Sequence, residues 1–246
     1  LVVLWDGQLQ CVVYYLQYLW IYLLLHQKWC PWRCLVVKNY GTDKEQVETI
    51  KGSTIDIKQE AKELFFDSYY ELFNNKVDCV ERSLLLNVAS YIKDAANNSG
   101  KIIIIGNGGS ASIASHVAVD LTKAANIRAI NFNEASLLTC FSNDYGYERW
   151  AEKAIEFYAD RDDLVILISS SGQSKNIINC AIKAKEMGLP IITLSGFMKN
   201  NPLKKVGNVN LWADSESYNI VETTHQIWLL SVVDYLIEND RVNSKK

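Results

Sequence analysis

The sequence predicts an α/β protein: a parallel sheet held between helices in a three-layer sandwich. Three observations carry that expectation. Five short apolar runs rich in β-branched residues, KIIIIG, RAINF, DLVILIS, LPIITLS and VNLWA, recur along the chain. Strands that read as nearly unbroken apolar runs are buried on both faces, which is the mark of a parallel sheet. Between them lie stretches with apolar residues at three- and four-residue intervals, so helices alternate with strands. Two of the runs also break directly into glycine–serine turns, GNGGSAS and SSSGQS, each opening a helical pattern.

Taken in order, the chain opens on a segment unlike the rest. Residues 1–55 form an apolar leader of uncertain status, and 56–246 form the globular domain. Cys11 to Leu25 is intensely apolar, and Trp5, Trp20, Trp29 and Trp32 all fall before residue 33. A bilayer span needs roughly 20 apolar residues, which this run reaches only marginally. The basic residues Lys28, Arg33 and Lys38 follow the run and do not precede it, which argues against a secretory signal. Three readings stay open, in this order: a poorly ordered or misassigned leader, a membrane-surface anchor, and a span. Contact with a membrane follows only if the leader is real.

From Asp56 the text becomes regular. DIKQEAKELFFDSYYELFNNK and VDCVERSLLLNVASYIKDAANNSG read as two amphipathic helices that precede the sheet, the second ending on residues tolerant of left-handed backbone. The five expected strands follow, separated by helices. A formal net charge of -3 provides no basic footprint, so direct nucleic-acid binding is not expected. The six cysteines, Cys11, Cys30, Cys34, Cys79, Cys140 and Cys180, show no repeated spacing and no zinc-ribbon pattern. Free thiols in a reducing, cytoplasmic setting are the expectation.

Ligands of open parallel sheets bind beyond the carboxyl ends of the strands, and both glycine–serine turns fall there. Gly108 and Gly109 allow an anion close to the backbone. Ser110, and then Ser169, Ser170, Ser171 and Ser174, place hydroxyls beside the free N–H groups of a helix start. One such turn reads equally well as an ordinary helix cap; two of the same chemistry favour a phosphate. Neither is GxGxxG and neither carries a P-loop Lys-Ser/Thr, so a dinucleotide or nucleoside triphosphate is not indicated.

GNGGSASIASH, FSNDYGYERW, ISSSGQSKNII and YNIVETTHQIWLL, in this order and spacing, resemble the sugar isomerase (SIS) family, in particular its phosphoheptose isomerase branch. The resemblance runs from about residue 56 to the C-terminus. It implies a five-stranded parallel sheet flanked by helices, a homotetramer with active sites between subunits, and conversion of sedoheptulose 7-phosphate to a heptose phosphate, often with zinc. It places the phosphate on Ser110, Ser169, Ser171 and Ser174, with Asn107 and Asp144 near the sugar hydroxyls. It also implies a carboxylate base one turn after His116, which here is Asp120 where the family has the longer Glu. On the last helix the family's Gln and His correspond to Glu222 and Leu230.

Aldose–ketose isomerisation moves a proton between C1 and C2 and needs a base and an acid. Asp120 is the expected base. Leu230 cannot donate a proton, and His225, nearby on the same helix, or a bound metal is the expected acid. His116, Asp120, Glu222 and His225 form a candidate metal set, with zinc as the cofactor. An enzyme acting on a phosphorylated sugar and a non-catalytic phosphosugar-binding scaffold or regulator both fit the sequence at this point.

Overall fold

The computed structural model describes residues 62–243. The 1–55 leader and the expected helix start at Asp56 lie outside the described residues. The chain divides into two units, Leu1–Tyr70 and Glu71–Lys246. Of the first, residues 62–70 are described and are helical. Helix α1 covers 62–78.

Helix α2, Arg82–Asn97, buries Val88, Ala89, Ile92 and Ala95, one stripe at helical spacing. Its end falls in the expected NNSG stretch, where Ser99 adopts a φ of 63°. Strand β1 (Ile102–Gly106) leads to α3 (Gly109–Lys123), then β2 (Ala129–Ile130), α4 (Ala135–Tyr145) and α5 (Trp150–Tyr158). The second half repeats the alternation with β3 (Leu164–Ser169), α6 (Lys175–Glu186), β4 (Ile191–Ser195), a short 3-10 turn, β5 (Val209–Trp212) and the long α7 (Tyr218–Asn243). Each expected strand is present.

The sheet runs β2-β1-β3-β4-β5, and every pairing is parallel. Side chains alternate across it, as the two-residue period of a strand demands. Ile102, Ile104, Ile166, Ile168, Ile192 and Leu194 pack on one face with α2, α3 and α7. Ile103, Ile105, Val165, Leu167 and Ile191 pack on the other with α5 and α6. The result is the three-layer sandwich. Burying each such isoleucine contributes about 1.5–3 kcal/mol, so the four isoleucines of β1 anchor the middle of the fold.

One topological detail positions the site. Strands β1 and β3 are neighbours, with Gly106 opposite Ile168. The helix after β1, α3, lies on one face of the sheet and the helix after β3, α6, on the other. The two chain paths diverge, and a crevice opens between the strands' carboxyl ends. At the opposite ends of the same strands, Lys101 Nζ lies 2.6 Å from the carboxylates of both Asp160 and Asp163. The fully buried Asp163 also accepts from the Lys101 and Asp160 backbone N–H groups at 2.7 and 2.8 Å.

Candidate functional site

Both glycine–serine turns open into that crevice. A cavity of about 110 Å³ lies there, lined by Asn107 and Ser110 from the first turn, by Ile168 and Ser169, Ser170, Ser171 and Ser174 from the second, and by Tyr218 and Glu222 from α7. Ser110, Ser169 and Ser170 are almost fully buried. Ser169 Oγ donates to Ser174 Oγ at 3.1 Å, and Ser170 Oγ donates to Glu222 Oε1 at 3.3 Å. Ser174 is the N-cap of α6, yet its side chain makes no capping bond. The hydroxyl faces its neighbours in the cavity, so plain capping does not account for the residue.

Two glycines have geometric reasons. Gly172 has a φ of 64°, which side chains rarely adopt, and a Cβ there would collide with Asn201. At Gly109 a Cβ would collide with the Glu222 carboxylate. Glycine at 109 therefore lets the last helix bring a carboxylate against the first turn of α3.

A second cavity of about 320 Å³ adjoins the first at Asn107, which lines both. Its wall includes Gly108, Asn133, Thr139, Ser142, Tyr147 and Trp150. The Trp150 indole N–H is buried without a hydrogen-bond partner. Asp144, expected near the sugar, lines neither cavity. It is exposed on α4, where its carboxylate takes the Asn143 amide at 2.9 Å and the Cys140 thiol at 3.6 Å.

The expected acid–base and metal residues do not gather. His116 and Asp120 do pair on the exposed side of α3, with His116 Nε2 3.2 Å from Asp120 Oδ2. Their partner from α7 is Gln226, whose Nε2 lies 3.0 Å from His116 Nδ1. Donation from this amide leaves the imidazole proton on Nε2, facing Asp120. Glu222 lines the serine-rich cavity.

His225, expected as acid and ligand, is a core residue. It lies in the buried stripe of Val221, Trp228, Leu229 and Val232, and is itself fully buried. Its Nε2 donates to the Ser195 carbonyl at 3.0 Å, and Nδ1 has no partner. Burial pushes its pKa down to about 4, against a smaller opposing effect of the Ser195 bond. The physical reason is angular: Glu222 and His225, three residues apart, differ by about 60° around a helix. That is enough to put one in the crevice and the other under the sheet. Among the described residues no group of three or more His, Cys, Asp or Glu is placed to hold a metal ion. The four-residue set thus does not assemble within the chain. Leu230, at the position of the family's His, packs against the core.

The sequence does not single out Tyr147, Tyr218, Gln226 or Asn176. Asn176 is 3% exposed and exchanges two hydrogen bonds with Asn107, Nδ2 to Oδ1 in each direction, at 3.0 and 2.9 Å. A signal for it existed. It stands on the buried stripe of α6 with Cys180 and Ala184, and a polar residue in an apolar stripe needs a partner.

Known proteins share this fold. The family model described as SIS domain matches residues 65–196. The chain is 31% identical over 175 residues to the phosphoheptose isomerase of Helicobacter pylori strain P12, covering 69% of this chain and 90% of that protein. It is 36% identical over 143 residues to the phosphoheptose isomerase of Glaesserella parasuis serovar 5, covering 56% and 71%. Among solved structures, phosphoheptose isomerase from Neisseria gonorrhoeae superposes with a TM-score of 0.67 at 24% identity, covering 72% of this chain and 97% of that one.

Proposed function

This chain belongs to the SIS-domain family, in its phosphoheptose isomerase branch, and on that premise we propose that it interconverts sedoheptulose 7-phosphate and the corresponding aldose phosphate at a site shared between copies of itself. One observation carries the reading: two serine-bearing turns converge from adjacent strand ends on one cavity, and the serine that should cap α6 leaves its hydroxyl there. Hydroxyls and helix N-termini suit a phosphate dianion. The sugar then extends past Asn107.

The chemistry needs a base to take a proton from C1 of the ketose and a donor to return one to C2, with an enediol between. Asp120 is the proposed base. His116 orients its carboxylate through the 3.2 Å contact, and Gln226 orients His116. Neither His116 nor Asp120 lines the anion cavity. Asp120 stands ten residues beyond Ser110, about 15 Å along the helix axis. A base supplied by a second copy resolves the separation. Val119 and Ile227, exposed apolar residues beside the pair, support burial of this face on assembly. So does the apolar groove between α2 and α7 formed by Leu85, Leu86, Val232 and Tyr235. A homotetramer is the proposed assembly.

Zinc, implied by the resemblance, finds no complete donor set among the described residues, because His225 is committed to the core. The proposed steps therefore run through the chain's own residues. Cys79, Cys140 and Cys180 are free thiols, which supports a reducing, cytoplasmic setting. No helix among the described residues is long and apolar enough to cross a membrane.

The test is solvent deuterium entering C1 or C2 when the protein is incubated with ketose and aldose phosphates. Exchange with sedoheptulose 7-phosphate is expected. Tight binding without any exchange would leave a phosphosugar-binding protein in place of an enzyme.

A further inference from the structure

We propose that Asn176 and Tyr147 are positioning residues that lock the Asn107 amide, so that it meets the substrate as a hydrogen-bond donor only. The inference rests on the phosphosugar reading above and assigns one contact within it.

Asn107 Oδ1 accepts from Asn176 Nδ2 at 2.9 Å and from the Tyr147 hydroxyl at 3.3 Å. Asn107 Nδ2 donates to Asn176 Oδ1 at 3.0 Å. A carboxamide offers two lone pairs on oxygen and two protons on nitrogen. Both lone pairs of Asn107 are therefore spent, and one Nδ2 proton remains. That proton is the only hydrogen-bonding capacity left on a side chain that borders both cavities.

The two clamping residues share a frame. Asn176 stands in the first turn of α6, and the loop carrying Tyr147 is tied to the same helix twice. Lys175 Nζ lies 2.8 Å from Glu148 Oε1, and Asn179 Nδ2 donates to the Glu148 carbonyl at 2.9 Å. Asn107 belongs to the β1 end of the crevice and its clamp to the β3 end, so the lock also fixes the spacing of the two turns. An unpartnered donor in a half-buried site costs stability, and the bonds within the pair leave this one Asn107 proton for the ligand. The group facing it must be an oxygen with a free lone pair: a hydroxyl or ester oxygen of the sugar phosphate beside the anion. A reversed amide would present acceptors to that oxygen and require its proton instead.

Two probes separate the lock from the site it serves: inorganic phosphate and sedoheptulose 7-phosphate, each titrated calorimetrically, with steady-state isomerisation alongside. Tyr147→Phe removes one atom from a residue that is 60% exposed, so folding is not at issue. Asn176→Leu removes both amide bonds at similar volume, and its melting curve checks its fold. Phosphate affinity is expected to stay within about twofold in both variants. The KM for the phosphosugar should rise about three- to tenfold in Tyr147→Phe and further in Asn176→Leu, with kcat changing less than KM. In an Asn107→Ala background, Tyr147→Phe should have no additional effect. A Tyr147→Phe enzyme with parental KM, or a Tyr147→Phe effect that persists without Asn107, overturns the lock. A parent protein that binds phosphate but no phosphosugar overturns the functional reading and the lock together, and is told apart from the first case by the parent titration alone.

Discussion

At its first turn, helix α3 packs Ser110 into the crevice with Ser169 and Ser170, all at most 5% exposed. Farther along the same helix, His116 and Asp120 stand with 48% and 37% of their side chains in solvent. One end is assembled within a single chain: hydroxyls from two turns meet there, with the Glu222 carboxylate of α7 against the first turn and two glycines where a Cβ would collide. The other end has a hydrogen-bonded pair, one glutamine and exposed apolar neighbours. On the proposed reading, anion recognition belongs to hydroxyls and N–H groups that the folded sheet brings together at its strand ends. Proton transfer, on the proposed reading, belongs to a surface that a second copy completes.

Perturbations of the two ends should therefore separate binding from turnover. The largest effect is expected for Asp120→Asn, which keeps the shape and removes the base. Deuterium exchange should fall about 10²- to 10⁴-fold, while calorimetric affinity for the phosphosugar changes little. A comparable loss of affinity would erase the distinction between the ends.

Next in size is a pH effect on α7, whose inner face carries His225 and whose outer face carries Gln226. Folded, His225 is neutral with a pKa near 4; unfolded, an imidazole titrates near 6.5. The unfolded state thus binds more protons between these values. Stability is complete above about pH 6.5 and falls as the pH drops towards 4, by about 3 kcal/mol in all. Urea melts at stepped pH read this directly, and His225→Leu should flatten the slope.

Smaller again is the effect of Ser171→Ala combined with Ser174→Ala. Affinity for the phosphosugar should drop by about tenfold or more, since hydrogen bonds to a charged group contribute about 1.5–3 kcal/mol each. Exchange at saturating substrate should be nearly retained. Unchanged affinity would return the turn to a capping role. Smallest is Gln226→Leu, which frees the His116 tautomer without touching Asp120; kcat should fall about two- to tenfold.

The same contrast explains what could be read from the sequence. The strands were legible because residues buried on both faces must all be apolar, as in Ile102 to Ile105. The two glycine–serine turns were legible as turns at strand ends, and their convergence on one cavity is what the fold adds, since serine and glycine alone also suit ordinary helix caps. Glu222 and His225 were misgrouped for a physical reason: a helical repeat assigns residues to faces within about 60°, and only the packing of α7 against the sheet decides which side is core. Asn176 was hidden because its partner, Asn107, is 69 positions away. The far end of α3 was legible as a pair, His116 with Asp120, but the residue of α7 beside it is Gln226 and neither Glu222 nor His225.

The measurement that bears most directly on a shared site mixes two disabled proteins. Asp120→Asn subunits keep the anion cradle and lose the base; Ser171→Ala/Ser174→Ala subunits keep the base and lose much of the cradle. Each is assayed alone at low phosphosugar concentration, where both are impaired, and then after co-refolding in equal amounts. If cradle and base come from different copies, the mixed oligomers should recover roughly a quarter of parental activity, the chance that a site draws both parts from intact subunits. A mixture no more active than the average of its two components would contradict the account and put base and cradle in the same chain.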